Sequence, residues 1–327
     1  MTLIIEHISN NSIIQAGDRL ITQDDHHGIQ EVEVVSNKAI VFEASDAVMS
    51  ISYAGNAVFD DKTTDHWLAE LITGEAISQS FPKGIKIGPM NAKPQMSLSE
   101  IFFKFWQALS VPKKWGLKLA HWYGFYFQLS ITGWRWNHRY YQPFILRIGK
   151  PAGSWQLRRK FQTMPIDKRG QSLWSWFPFF NMTKEEFHDI ADDIQSKSLH
   201  FGMIEDAFAR GIQRVSRREP RVGSHSITIS ILNPKYSRAV NVRYHSPENE
   251  TLTYQLSPNG DSIRVMTTPW IIGRRVTKPP QAMSGGATFS TGSFKVQCHA
   301  PTNEGSSTVF SSSSLPRFTD KNQVLSQ

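Results

Sequence analysis

Cysteine is almost missing from this chain. Cys298 stands alone, which excludes an intramolecular disulfide. No stretch reaches the roughly 20 uninterrupted apolar residues that a spanning helix needs. The opening MTLIIEH has neither the basic flank nor the long apolar run of a secretory signal, and it reads as a strand. A reducing compartment follows, and the expected location is cytoplasmic. Internal repeats are lacking too, as are helix-turn-helix, zinc-finger and RNP motifs. The formal net charge is nonetheless +8. Its basic residues are scattered in short groups: Arg158, Arg159 and Lys160; Arg214, Arg217, Arg218 and Arg221; Arg274 and Arg275. Without a stripe or a binding motif, neither nucleic acid nor a membrane is an expected partner.

What is present is apolar and aromatic. At 39% hydrophobic and 12% aromatic, the 327 residues can bury a sizeable core, in one large domain or two of ordinary size. Residues 2–9 and 11–16 run apolar around an Asn10-Asn11 turn, and the stretches EVEVVSNKAIVFEA and DAVMSISYAG supply more strands, closing at Gly55. Between them ITQDDHHGIQ reads as a polar loop. TDHWLAELITG predicts a helix capped by Thr64 or Asp65 and stopped by Gly74. Ser97 with Glu100 makes a capping box for a helix over 97–110. Interrupted by Lys118, His121 and Arg135, the aromatic run 115–136 reads as a helix tail followed by a buried hairpin, FYFQLSITGW against PFILRIG. Two helices follow, one capped at Thr183 and one carrying Ile204, Phe208, Ile212 and Val215 on a single stripe. Further strands lie at SITISIL, AVNVRY, TLTYQL and SIRVMTTPWII, with an Asn259-Gly260 hairpin turn.

Few residues carry obvious chemistry. Asp24, Asp25, His26 and His27 have ligand side chains, but neighbours in one polar loop rarely converge on an ion, so no metal is expected. Cys298 falls in a Ser/Gly-rich stretch and is a poor candidate for catalysis. Thr2 would become an N-terminal nucleophile with its own amine as base if Met1 were removed.

Three stretches carry a resemblance. MTLIIEHISNNSIIQAGDR resembles the mature start of proteasome β-subunits and of the bacterial HslV-type peptidase. FQLSITGWRWNHRYYQPFILRI is similar to that family's strand–Gly–turn–strand unit. AFARGIQRVSRREPRVGSHSITISIL resembles its long helix, turn and following strand. Together they cover about residues 2–75 and 123–233. The fold implied is an α+β, four-layer αββα Ntn-hydrolase sandwich.

The resemblance implies roles residue by residue. Thr2 is the nucleophile, Asp18 the buried acid, Lys38 the lysine that the acid holds, and Gly55 the glycine whose backbone N–H meets the oxyanion. Glu219 stands where the family has Asp and Gly223 matches its glycine, but Val222 replaces the family's serine. For a second helper serine, Ser172 is the only suggestion. The activity implied is a threonine-type peptidase or amidohydrolase without cofactor, acting on peptide or protein substrates and assembled as a homo-oligomer. Two other readings stay open: a catalytically inactive scaffold or binding subunit of the same fold, and a basic, aromatic interaction protein. The expected organisation is a proteasome-like domain over 1–235, a β-strand extension over 236–281 and a Ser/Gly-rich, disordered tail over 282–327. An aromatic insertion at about 81–122 is expected to cover the site or an interface between subunits.

Overall fold

The computed structural model describes residues 2–25, 28–33, 37–59, 62–74, 79–80, 84–85, 96–110, 126–154, 156–163, 172–177, 182–196, 201–247, 254–256, 263–265, 267–274, 276–281, 283, 286–291 and 293–300. They build two large mixed sheets. In spatial order the first sheet contains Ser172–Phe177, Ile4–Ser9, Ser12–Asp18, Ser226–Leu232, Ala239–His245, Lys295–His299 and Gly286–Ser290. The second contains Arg158–Thr163, Tyr141–Lys150, Phe127–Trp136, Ala47–Gly55, Ala39–Glu43, Trp270–Ile272 and Thr277–Lys278.

Period-2 alternation explains how the sheets stack. Ile13, Val41, Val48, Trp134, Ile145, Ile227 and Ile229 meet between them. On the outer face of the first sheet, Leu3, Ile5 and Ile14 pack against Phe187, Ile190, Phe208 and Ile212 of the helices Lys184–Ser196 and Phe201–Ser216. On the outer face of the second, Met49, Leu129 and Leu146 pack against Trp67, Leu68, Ile101 and Phe105 of Thr64–Thr73 and Leu98–Ser110. With both faces of each sheet covered, the central strands read as nearly continuous apolar runs.

The helix termini follow the expected chemistry. Ser97 and Glu100 exchange backbone and side-chain hydrogen bonds (2.7 and 3.3 Å), and Thr183 and Glu186 do the same (2.8 and 3.2 Å). The first helix has Thr63 at its N-cap position, one residue earlier than expected and without a side-chain cap bond, and ends at Gly74 in the left-handed region.

Other expectations need correction. ITQDDHHGIQ is no simple loop: Ile21–Asp25 pairs antiparallel with Gly28–Glu33, so Asp24 and Asp25 lie on a strand. His26 and His27 lie outside the described residues. The region read as a disordered tail contributes Gly286–Ser290 and Lys295–His299 to the first sheet, the latter parallel to Ala239–His245. Val296 and Cys298 alternate into the inter-sheet core there, which a Ser/Gly-rich composition conceals. Trp270–Ile272, placed in an extension, joins the second sheet parallel to Ala39–Glu43. The aromatic insertion is described only in part. Its helix Leu98–Ser110 buries Leu98, Ile101, Phe105 and Leu109 and leaves Phe103 exposed, while residues 81–83, 86–95 and 111–122 lie outside the described set. Among the described residues no helix is long and apolar enough to cross a membrane.

Candidate functional site

The ends of several strands meet around the head of Ile4–Ser9. Thr2 precedes this strand and is buried. Strand alternation gives Thr2 the face of Ile4, towards the second sheet, and gives Leu3 the helix side. Ile4 packs with Ala54 and Tyr126, so this strand touches the end of Ala47–Gly55. Burial pushes the Tyr126 phenol above its ordinary range.

Asp18 is the hub. It ends Ser12–Asp18, and its own N–H donates to the Leu3 carbonyl at 3.1 Å, continuing the pairing of the two strands. Its side chain turns back on the same residue: the Leu3 N–H donates to Oδ1 at 2.6 Å. The second oxygen, Oδ2, accepts from Leu20 N–H at 3.2 Å, Gly223 N–H at 3.1 Å and Lys38 Nζ at 3.2 Å. A carboxylate removed from water needs this degree of satisfaction, and charge-assisted bonds are the strong ones. Lys38 Nζ also donates to the Leu20 carbonyl.

Lys38 is held from behind. It immediately precedes Ala39–Glu43, and Asn37 before it donates through Nδ2 to the Thr267 and Thr268 carbonyls at 2.9 and 2.8 Å. Arg19, fully buried, lies 4.6 Å from the centre of the Tyr244 ring, whose hydroxyl donates to the Thr267 carbonyl at 2.9 Å. Neither Asn37 nor Arg19 stands out in the sequence as a residue of the site. Contacts to residues more than two hundred positions away carry no local signal.

Two glycines are required by close approach. A Cβ on Gly223 would sit 2.6 Å from Leu20 Cβ, so only glycine lets this N–H reach Asp18. Gly55 has φ +104°, and a Cβ there would lie 2.3 Å from the Tyr126 carbonyl oxygen.

The structure thus brings Asp18, Lys38 and Gly223 into direct contact, adjacent to Thr2 through Leu3, with Gly55 at the neighbouring strand end. Glu219 is not part of this contact. Its carboxylate accepts from Arg221 N–H and Nε at 3.2 and 3.0 Å, and its carbonyl accepts from Val222 N–H at 2.9 Å, closing a local turn. Val222 is buried among Leu3, Ile5 and Val215 on the helix side. Ser172 pairs with Ser9, at the far end of the strand from Thr2, about 23 Å away at ~3.3 Å per residue. Cys298 is buried on its strand, and burial pushes its thiol up to about 12, so it carries no thiolate near neutral pH. Among the described residues no group of His, Cys, Asp or Glu could hold a metal ion.

The sequence matches no family model and no curated protein. Among solved structures, it is similar to Anbu (ancestral beta-subunit) from Yersinia bercovieri at 12% identity, covering 72% of this chain and 83% of that one, with a TM-score of 0.40. It is similar to Thiobacillus denitrificans BPH in complex with epoxomicin at 14% identity, 71% and 99% coverage and a TM-score of 0.41. For the Pseudomonas aeruginosa Anbu complex, described as a helical assembly, the values are 12%, 71%, 80% and 0.35.

Proposed function

We propose that this chain is an Ntn-hydrolase of proteasome-like fold, cleaving peptide or amide bonds with Thr2 as nucleophile once Met1 is removed. One observation carries the reading. A single buried carboxylate, Asp18, grips both the backbone directly behind Thr2 and the ammonium of Lys38.

The chemistry is as follows. A free α-amine at Thr2, with an ordinary pKa of about 7.7–8.0, is partly neutral near pH 7 to 8 and takes the proton from the Thr2 hydroxyl as Oγ attacks the carbonyl. The Lys38 ammonium disfavours protonation of that amine by like charge, while Asp18 keeps Lys38 charged and in place. The Gly55 N–H donates to the developing oxyanion. Collapse returns the proton to the departing amine and leaves an acyl ester on Thr2, which water hydrolyses. Homo-oligomeric assembly accompanies this reading.

A second reading rests on Val222, which puts an apolar side chain where the resembled family has a hydroxyl. In it the same fold serves as a non-catalytic binding or scaffold subunit.

Intact mass and a peptide epoxyketone separate the two. Loss of Met1 with an adduct mapped to Thr2, abolished in Thr2→Ala, is expected. Met1 retained with no adduct would sink the hydrolase, and a processed chain that stays unlabelled is the scaffold.

A further inference from the structure

A second buried polar cluster lies between the sheets, deeper than the site and untouched by the chemistry above. Its centre is Glu6, fully buried on the strand that Thr2 heads and, at even spacing, on the same face as Thr2. Oε1 of Glu6 accepts from Gln15 Nε2 at 2.9 Å and from the Ser130 hydroxyl. Oε2 accepts from an Arg147 guanidinium nitrogen at 2.6 Å and from Ser175 Oγ at 2.8 Å. The same nitrogen of Arg147 lies 2.6 Å from Ser175 Oγ. Gln15 extends the network: its Oε1 accepts from Ser50 Oγ at 2.7 Å and Ser52 Oγ at 2.6 Å.

The placement of these residues matters more than their polarity. Glu6, Gln15 and Ser175 belong to the first sheet, and Ser50, Ser52, Ser130 and Arg147 to the second. Most of the bonds therefore cross the interface. Three of the strands they tie together have ends at the site. Glu6 is on the strand headed by Thr2, Gln15 on the strand ending at Asp18, and Ser50 and Ser52 on the strand ending at Gly55.

Apolar packing between sheets is non-directional, so Ile13, Val41 and Ile227 alone tolerate small slides of one sheet over the other. Directional bonds to a buried carboxylate do not, because a slide leaves a charge unmatched in a low dielectric. The site, built from both sheets, cannot tolerate such slides either: a misplacement of about 1 Å can lower a rate 10²-fold.

We infer that Glu6 and Arg147 are positioning residues: their inter-sheet network sets the register that brings the Thr2 and Asp18 strand ends of one sheet against Lys38 and Gly55 of the other. The catalytic half of this inference rests on the hydrolase reading; the geometric half does not.

The test uses the full chain with Glu6→Gln/Arg147→Met, which removes both charges together and keeps much of the volume, so that no unpaired ion is buried. Two measurements are read in parallel. The first is epoxyketone capture of Thr2, resolved into reversible binding and the rate of bond formation. The second is the amide resonances of Leu3 and Gly223, whose N–H groups both donate to Asp18 and report site geometry without any chemistry.

The double variant is expected to shift both resonances and to slow bond formation at least tenfold while binding stays within about threefold. Arg147→Lys, which keeps a cation beside Glu6, is expected to recover most of the rate. Unmoved resonances in a folded double variant overturn the inference, as does capture at the wild-type rate. Should the double variant not fold, Ser130→Ala, which deletes one cross-sheet bond and little volume, takes its place: shifted Leu3 and Gly223 resonances support the inference and unshifted ones overturn it. A wild-type protein that is never labelled defeats the hydrolase reading, and the resonances still decide whether the network positions the strand ends.

Discussion

Lys38 Nζ lies 3.2 Å from Asp18 Oδ2, with side-chain exposures of 3% and 0%. The pair spans the interface: Asp18 ends a strand of the first sheet and Lys38 leads into a strand of the second. Breaking a buried pair from one side costs more than the pair contributes, since the survivor stays desolvated and alone.

Asp18→Asn is therefore expected to destabilise the protein by about 3–5 kcal/mol, the range for an orphaned buried charge. Adding Lys38→Met is expected to recover part of that loss. Urea unfolding of Asp18→Asn, Lys38→Met and the double variant measures both, and a double-variant loss equal to the sum of the two single losses would show that the pair is not coupled.

Gly55→Ala meets two obstacles, φ +104° and a backbone oxygen 2.3 Å from the new Cβ. Strain of this kind costs about 1–3 kcal/mol before the collision is counted. Gly149→Ala is the control, because its Cβ would approach nothing closer than 3.4 Å. Thermal unfolding should separate the two, with a clear drop in Tm for Gly55→Ala alone.

Val222→Ser restores the hydroxyl that the resembled family carries, but it does so inside an apolar cluster on the helix side of the first sheet. A loss of about 1–3 kcal/mol is expected for an unmatched buried hydroxyl. No faster epoxyketone capture is expected, since Thr2 takes the opposite face of its strand. Acceleration without destabilisation would contradict this placement.

Burial lowers both His7 and His245 from 6.5 to about 4, and for His245 the Arg243 guanidinium adds to the effect while Asp206 opposes it. Such histidines stay neutral when folded and take up protons on unfolding. Their contribution is whole above pH 6.5 and is lost as the pH falls towards 4. Glu205 has the opposite sign: burial raises its carboxyl, so its contribution is present at low pH and fades as pH rises through the folded value. Unfolding free energy is expected to fall between pH 6.5 and 4, and His7→Gln/His245→Gln should flatten that slope. An unchanged slope in the double variant would rule these two out as its source.

Much of the fold is legible in the sequence because its signals are local. The Ser97–Glu100 and Thr183–Glu186 boxes, Gly74 after a helical stripe and the hairpin of Phe127–Trp136 with Tyr141–Lys150 all depend on residues close in the chain. The parallel pairings of Trp270–Ile272 and Lys295–His299 were hidden because their partners are remote, and because the second strand sits in a stretch rich in Ser and Gly. The hairpin at Ile21–Asp25 was hidden by its polarity.

The site divides in the same way. The residue types at the strand ends are legible in the chain alone: Thr2, Asp18, Lys38, Gly55 and Gly223, with apolar Val222 among them. Spacing and resemblance suffice for that. It takes the packed fold to reveal that Asp18 holds Lys38, Leu3 and Gly223 at once, that Glu219 turns away to Arg221, and that Glu6 and Arg147 join the sheets beneath the site. These are contacts between backbone groups and side chains far apart in sequence. Their geometry exists only once two sheets have packed in one register.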